Sequence, residues 1–169
     1  MKHFLLLLLL SCSCSPELTP EETVISQVKI FTSAFFSDNY TEAVKYTHPK
    51  LLNLSGGEEG HIKMLKDNKE MMLNDGVIIE NFEVSEDVTI AKFSDNEYHC
   101  LVPTTMIMII NGQKMEIRDH FFGFSDAAQK EWKFVQTELL RENVGTLSPV
   151  QNFKSNINIP AKPDPVPID

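Results

Sequence analysis

The sequence predicts an α+β fold in which N-terminal helices pack on a bent antiparallel sheet that forms a cone-shaped roll. Apolar residues recur at helical spacing between residues 19 and 74, and they alternate with a period of two between residues 76 and 139. The dipeptide Asn111-Gly112 lies between two of these alternating runs, which is typical of a tight hairpin. A chain of 169 residues is long enough for one domain with its own core.

Residues 1–11 have the parts of a secretory signal peptide. Lys2 supplies the positive charge at the start, and Phe4 to Leu10 form a short apolar run. That run is far shorter than the ~20 apolar residues that a membrane-spanning helix needs. We therefore expect an exported protein.

The end of this segment points to lipid attachment. Leu9-Leu10-Ser11-Cys12 resembles a lipobox, so we expect cleavage before Cys12 and a lipid on its sulfur, with an ordinary cleaved signal as the alternative. Cys14 fits less well, because a serine stands where the lipobox has leucine. Residues 12–18 would then form a lipidated tether. Ser13 follows the cysteine where aspartate would signal inner-membrane retention, which favours the outer membrane of a bacterial envelope.

Two helices are expected between residues 19 and 49. The first begins at Thr19-Pro20-Glu21-Glu22, a capping box with proline at the first helical position, and should end near Ser37. Its apolar stripe comprises Val24, Val28, Phe31 and Phe35. A second, short helix is capped by Asp38 or Asn39 and is closed by Pro49.

A third helix is expected from Ser55-Gly56-Gly57 to Asp75-Gly76. One face should comprise Ile62, Leu65, Lys69, Met72 and Leu73. His61 is expected to face solvent.

Five strands are expected, at residues 77–84, 87–93, 97–110, 113–124 and 131–139. Asn111-Gly112 favours a type I′ turn, because both residues tolerate positive φ. If Ile110 pairs with Gln113 and no bulge intervenes, the register of the whole hairpin is fixed.

That register gives the hairpin two unlike faces. One face is apolar except for the pair Thr104 and Asp119, and it should cover the helices. The other face is mixed, and we expect it to be partly solvated or covered by another subunit; it includes Leu101, Ile107, Phe122 and Phe124.

Asp119 is the candidate catalytic residue. A carboxylate on an apolar concave face could serve as a general acid or base. The alternative is a structural role, in which it accepts hydrogen bonds from Thr104 or from the backbone. His99 and His120 fall on the opposite face in this register, which weakens a histidine–aspartate site.

Composition excludes several partners. The net charge of −9 argues against nucleic acid and against broad adhesion to anionic lipid head groups. Three cysteines, one of them consumed by lipid, give no disulfide framework, and no spacing suggests a metal site. No cofactor is expected.

Residues 143–169 form a proline-rich tail. Phe153 to Ile159 alternate and could add an edge strand or lie across the roll. The residues after Pro160 are too rich in proline for a central strand, so they should run extended over the surface.

The order of elements, and the segments FFSDNYTEAVKYTHPKLLNLSGGEEGHIKMLKDNKEMMLNDGV, MEIRDHFFGFS and EWKFVQ, resemble the nuclear transport factor 2-like family, the cystatin-like α+β roll. The resemblance covers roughly residues 20 to 165 and implies a domain over residues 19–142. The family includes polyketide cyclases, dehydratases and ketosteroid isomerases, which use Asp, His or Tyr inside the cone, and also modules that bind without catalysis. In this chain Asp119 has no tyrosine or histidine beside it on its face.

Three functions remain open. The favoured one is a lipid-anchored envelope protein that binds a small apolar ligand or a protein partner. The resemblance implies a pocket in the cone, with candidate lining residues Thr104, Met106, Met108, Met115, Ile117, Asp119 and Phe121. The second is an isomerase or dehydratase that uses Asp119. The third is a dimeric scaffold that pairs through the mixed outer face of the sheet.

Overall fold

The computed structural model describes residues 17–140 and 154–169. The predicted signal peptide, Cys12, Cys14 and the start of the proline-rich tail lie outside the described residues. Within them, helices precede an antiparallel sheet in the chain, and the predicted α+β class is confirmed.

The helical half begins with α1 (Pro20–Phe36), α2 (Tyr40–Ala43) and a 3-10 turn (Val44–Tyr46). The capping box of α1 is present: Thr19 Oγ1 accepts from the Glu22 amide at 3.2 Å, and Glu22 Oε2 accepts from the Thr19 amide at 2.8 Å. Asn39 caps α2 through its side chain. These starts are confirmed because the capping residues stand directly before helical apolar spacing.

The second helical segment ends at Tyr46, before Pro49 as expected, but a helix that was not predicted begins at this proline. Pro49 is the first residue of α3 (Pro49–Leu54), and His48 Nδ1 accepts a hydrogen bond from the Lys50 backbone amide at 3.2 Å. Proline is tolerated at a first helical position, where its missing N–H has no intrahelical partner. The long helix α4 (Gly57–Asn74) follows and ends at Asp75-Gly76, as expected.

The sheet contains β1 (Ile78–Val84), β2 (Thr89–Ser94), β3 (Glu97–Ile110), β4 (Gln113–Asp126), β5 (Lys133–Gln136) and β6 (Val166–Pro167). Strands β3 and β4 form its centre. Both β1 and β2 pair with β3, while β5 and β6 pair with β4. The predicted fifth strand over 131–139 is shorter, because the chain turns into a 3-10 helix at Thr137–Leu140.

The predicted hairpin register is confirmed over its whole length. Pairs run without interruption from Ile110–Gln113 to Glu97–Asp126, and they include Thr104–Asp119. Asn111 and Gly112 have φ angles of 52° and 79°, as a type I′ turn requires.

The apolar face of the hairpin packs on α1, as expected. Val24 and Val28 of α1 join one buried cluster with Cys100, Val102, Phe121, Trp132 and Phe134. The side-chain amide of Gln27 secures this contact, because it accepts from the Trp132 amide at 2.8 Å and donates to the Lys130 carbonyl at 2.7 Å.

The opposite face is covered, at one end, by the chain itself. Leu101 and Phe122 are buried with Val135, Leu140 and Ile157 in a second cluster. The side chains of Asn156 and Ser155 fix the segment that supplies Ile157. The side-chain amide of Asn156 donates to the Lys92 carbonyl at 2.7 Å, and Ser155 Oγ lies 2.9 Å from His99 Nδ1. Two of the four side chains expected on a dimer face, Leu101 and Phe122, are thus covered by this chain's own tail. The segment 154–160 lies across the sheet and forms no strand.

Candidate functional site

Asp119 lies in β4, between the part of the strand that pairs with β5 and the part that pairs with β6. Its Oδ1 accepts hydrogen bonds from Thr137 Oγ1 at 3.0 Å and from the His120 amide at 2.8 Å. Its Oδ2 lies 3.4 Å from the ammonium of Lys162, which also reaches Glu138 Oε2 at 3.3 Å. The carboxylate therefore connects β4, the turn after β5 and the tail.

These contacts favour the structural alternative for Asp119. The Thr104 hydroxyl, its expected donor, bonds to the backbone carbonyl of Asp119 at 3.2 Å and leaves the carboxylate to other donors. The histidines on neighbouring positions belong to the other face, as the register requires. His99, for example, contacts Glu97 and Ser155 at 3.0 and 2.9 Å.

A large cavity lies elsewhere, at the edge of β1. It has a volume of about 900 Å³, within the usual range for small-molecule sites. We define the α1–α4–β1 cleft by its lining: Lys29, Thr32, Ser33, Phe35 and Phe36 of α1, Lys69, Met72 and Leu73 of α4, and residues 77–84. None of the seven predicted pocket residues belongs to this lining. Of those seven, Thr104, Met108 and Phe121 are buried in the protein interior.

Aromatic rings form the floor of the cleft. The ring of Phe36 lies 5.6 Å from that of Phe82, and Phe82 lies 6.4 Å from the core residue Phe121. Phe35 stands edge-on to Phe36 at 5.5 Å. Because this chain of rings runs from the cleft into the core, the floor is held in place by buried packing.

Sequence reasoning missed the cleft for a physical reason. Its walls come from three separate segments, and the gap between them depends on how far α4 stands from β1. One signal was available: Phe36 lies beside Phe35 and widens the apolar stripe of α1 beyond what the helix needs to cover the sheet.

Three of the four charged residues in the lining already have partners. Lys69 donates to Asp38 at 2.7 Å and to the Phe36 carbonyl at 3.2 Å. Glu80 forms an ion pair with Lys114 at 2.8 Å, and Glu83 accepts a hydrogen bond from the side-chain amide of Asn81 at 2.8 Å. Lys29 is the fourth charged residue, and it is exposed at the rim.

The edge of β1 is modified in ways that disfavour pairing with another strand. Its register against β3 shifts between Ile79 and Asn81, which marks a bulge. The Asn81 side chain then accepts from the Phe82 amide at 2.9 Å, so this backbone donor is satisfied locally. Bulges and charged residues such as Glu80 and Glu83 are common protections of sheet edges.

Two histidines and one cysteine outside the cleft have pKa values that burial shifts. His61 was expected in solvent but is 4% exposed and lies 2.9 Å from Ser55 Oγ, because α4 turns this residue toward α3. Burial lowers the pKa of His61 and lowers that of His48 to about 4. Burial raises the pKa of the Cys100 thiol. Among the described residues, no three His, Cys, Asp or Glu side chains are grouped as metal ligands would be.

Comparison of the chain with protein-family models, with curated proteins and with solved structures finds no match. Within residues 17–140 and 154–169, no helix is long and apolar enough to cross a membrane.

Proposed function

We propose that the protein is a lipid-anchored component of the bacterial cell envelope that binds a small apolar ligand, without catalysis, in the α1–α4–β1 cleft. The observation that carries the proposal is the cleft itself, with its volume of about 900 Å³ and its aromatic floor. Ligand sites in proteins are typically concave and mostly apolar, with a few polar groups that orient the ligand.

The neighbourhood of the cleft supports binding over acid–base chemistry. Its lining contains no histidine or cysteine, and Glu80, Glu83 and Lys69 are engaged with partners. Asp119, on which the isomerase or dehydratase alternative depends, lies outside the lining and holds the tail.

The modified edge of β1 supports a small molecule over an added peptide strand. A peptide that extends a sheet needs a row of free backbone donors and acceptors. The bulge between Ile79 and Asn81 interrupts that row, and the backbone amide of Phe82 already donates a hydrogen bond to the Asn81 side chain.

The anchor completes the proposal. A lipid on Cys12 would hold the domain on a tether of residues 12–18, close to the membrane from which apolar molecules partition. Resemblance to the nuclear transport factor 2-like family, which includes binding modules, agrees with a role of this kind.

A neutral fluorescent dye tests binding. N-phenylnaphthylamine should brighten and saturate when titrated with the protein, because the cleft shields it from water. Ser33→Trp places a large ring at the exposed rim of the cleft and should reduce dye affinity at least tenfold. Ile30→Trp on the same helix is the matched control, since Ile30 is exposed and outside the lining.

Two results would overturn the proposal. One is a dye signal that fails to saturate with the unsubstituted protein. The other is an equal loss of affinity in the Ser33 and Ile30 variants, since the cleft would then have no special role.

A further inference from the structure

We propose that the ligand of the α1–α4–β1 cleft is an amphipathic acid, with its chain on the aromatic floor and its carboxylate beside Lys29. The inference rests on the proposed binding function and adds the chemical class of the ligand. It follows from the distribution of polar and apolar groups along one face of α1.

Lys29, Ser33 and Phe36 share this face, because they are separated by four and three residues. All three line the cleft. At 1.5 Å per residue, the backbone positions of Lys29 and Phe36 are about 10 Å apart along the helix axis. The wall that α1 supplies therefore has at one end a cation without an ion-pair partner among the described residues, and at the other an aromatic ring.

The ammonium of Lys29 has no ion-pair partner within residues 17–140 and 154–169. Among the described residues, no carboxylate lies within ion-pair distance of its ammonium, whereas the other three charged groups of the lining have partners. The residues one turn away on α1 are Ile25, Ser26, Thr32 and Ser33, which carry no charge.

This arrangement matches an acid with an apolar chain. A carboxylate near Lys29 would gain a charge partner and could accept from the Ser33 hydroxyl, while the chain would cover Phe36, Phe82 and Met72. A positively charged head would meet Lys29 unfavourably. A neutral head would leave the cation without a partner, so it would bind less tightly than the acid.

Dodecanoate and dodecanol, which differ only in the head group, test the inference. At a pH where the acid is ionised, each is titrated into the protein and its displacement of N-phenylnaphthylamine is measured. The acid should bind more tightly than the alcohol. Lys29→Gln should weaken the acid by about two- to fivefold, the range for exposed ion pairs, and leave the alcohol unchanged.

Lys63→Gln is the matched control, because it removes the same charge from an exposed site on α4 outside the lining. It should change neither affinity. If the alcohol binds as tightly as the acid, or if Lys29→Gln and Lys63→Gln weaken the acid equally, the acidic head is excluded while binding to the cleft stands. If neither compound displaces the dye and the dye itself does not bind, the proposed function fails first.

Discussion

The hydroxyl of Thr137 donates a hydrogen bond of 3.0 Å to Oδ1 of Asp119, and Thr137 is fully buried. The bond joins β4 to the 3-10 turn that follows β5. Since Lys162 approaches the other carboxylate oxygen, one side chain ties two elements and the tail together. Asp119 therefore belongs to the framework of the sheet edge.

Removal of this carboxylate should destabilise the fold. Asp119→Ala leaves the buried Thr137 hydroxyl and the His120 amide without this acceptor, which should cost about 1–3 kcal/mol in free energy of unfolding. Asp119→Asn should cost less, because the amide oxygen still accepts. Urea denaturation measures both. Asp95→Ala, which removes only an exposed partner of Lys92, is the control and should stay within about 1 kcal/mol. Equal losses for Asp119→Ala and Asp95→Ala would contradict a structural role.

Gly123 is required by close packing between two strands. A Cβ at this position would lie 2.5 Å from Cys100 Sγ and 2.9 Å from Phe134 Cε1. Gly123→Ala should therefore destabilise the protein by about 1–3 kcal/mol, as overpacked cores do. In a Cys100→Ala background the added methyl should cost less, because one of its two close neighbours is gone. A double-mutant cycle by urea denaturation checks this, and additive effects would show that the contact is not the cause.

Acid should destabilise the protein through His48. Burial lowers its pKa in the folded state from the ordinary value of 6.5 to about 4. Between these pH values His48 binds a proton in the unfolded chain but not in the folded chain. Above pH 6.5 its titration therefore costs no stability, and the free energy of unfolding falls as the pH drops from 6.5 toward 4. His61 adds a loss of the same sign, since its pKa is also lowered.

His48→Asn separates these two contributions. Asparagine can still accept from the Lys50 amide as a helix cap, but it does not titrate. The variant should lose less stability than the unsubstituted protein between pH 6.5 and 4, as measured by urea midpoints. If the urea midpoint of the variant falls with pH as steeply as that of the unsubstituted protein, the loss of stability in acid comes from groups other than His48.

The predicted lipid anchor can be tested by substitutions at two neighbouring cysteines. Cys12→Ser should abolish incorporation of labelled fatty acid and move the protein from the membrane fraction to the soluble fraction of a bacterial host. Cys14→Ser should retain both the label and the membrane location, because its position lacks the lipobox leucine. If labelling survives in Cys12→Ser and is lost in Cys14→Ser, the lipid is attached to Cys14 and the predicted cleavage site is wrong.

The sequence predicted the central hairpin in full because its information is local. Asn111-Gly112 requires one turn type, and that turn fixes every pair back to Glu97 and Asp126. The start of α1 was equally predictable, since Thr19 and Glu22 form their capping bonds within one turn.

Features that depend on distant segments could not be predicted in the same way. His61 is buried because Ser55 and α3 lie against it, and α3 was missed when Pro49 was taken as a stop. The tail covers Leu101 and Phe122 through Ile157, which follows them by more than thirty residues. The cleft depends on the distance between α1, α4 and β1, which no short sequence pattern encodes.

The two hydrogen bonds of Gln27 to Lys130 and Trp132 bear on the order in which the chain matures. The bonded residues are 103 and 105 positions apart, so helix α1 is made long before Lys130 and Trp132 exist. Contacts at such separation form late and slowly, because a long loop must close first. The contact of α1 with this segment therefore cannot form until Trp132 has been synthesised. If the predicted signal peptide is active, the N-terminus would meet the translocation machinery before this contact exists.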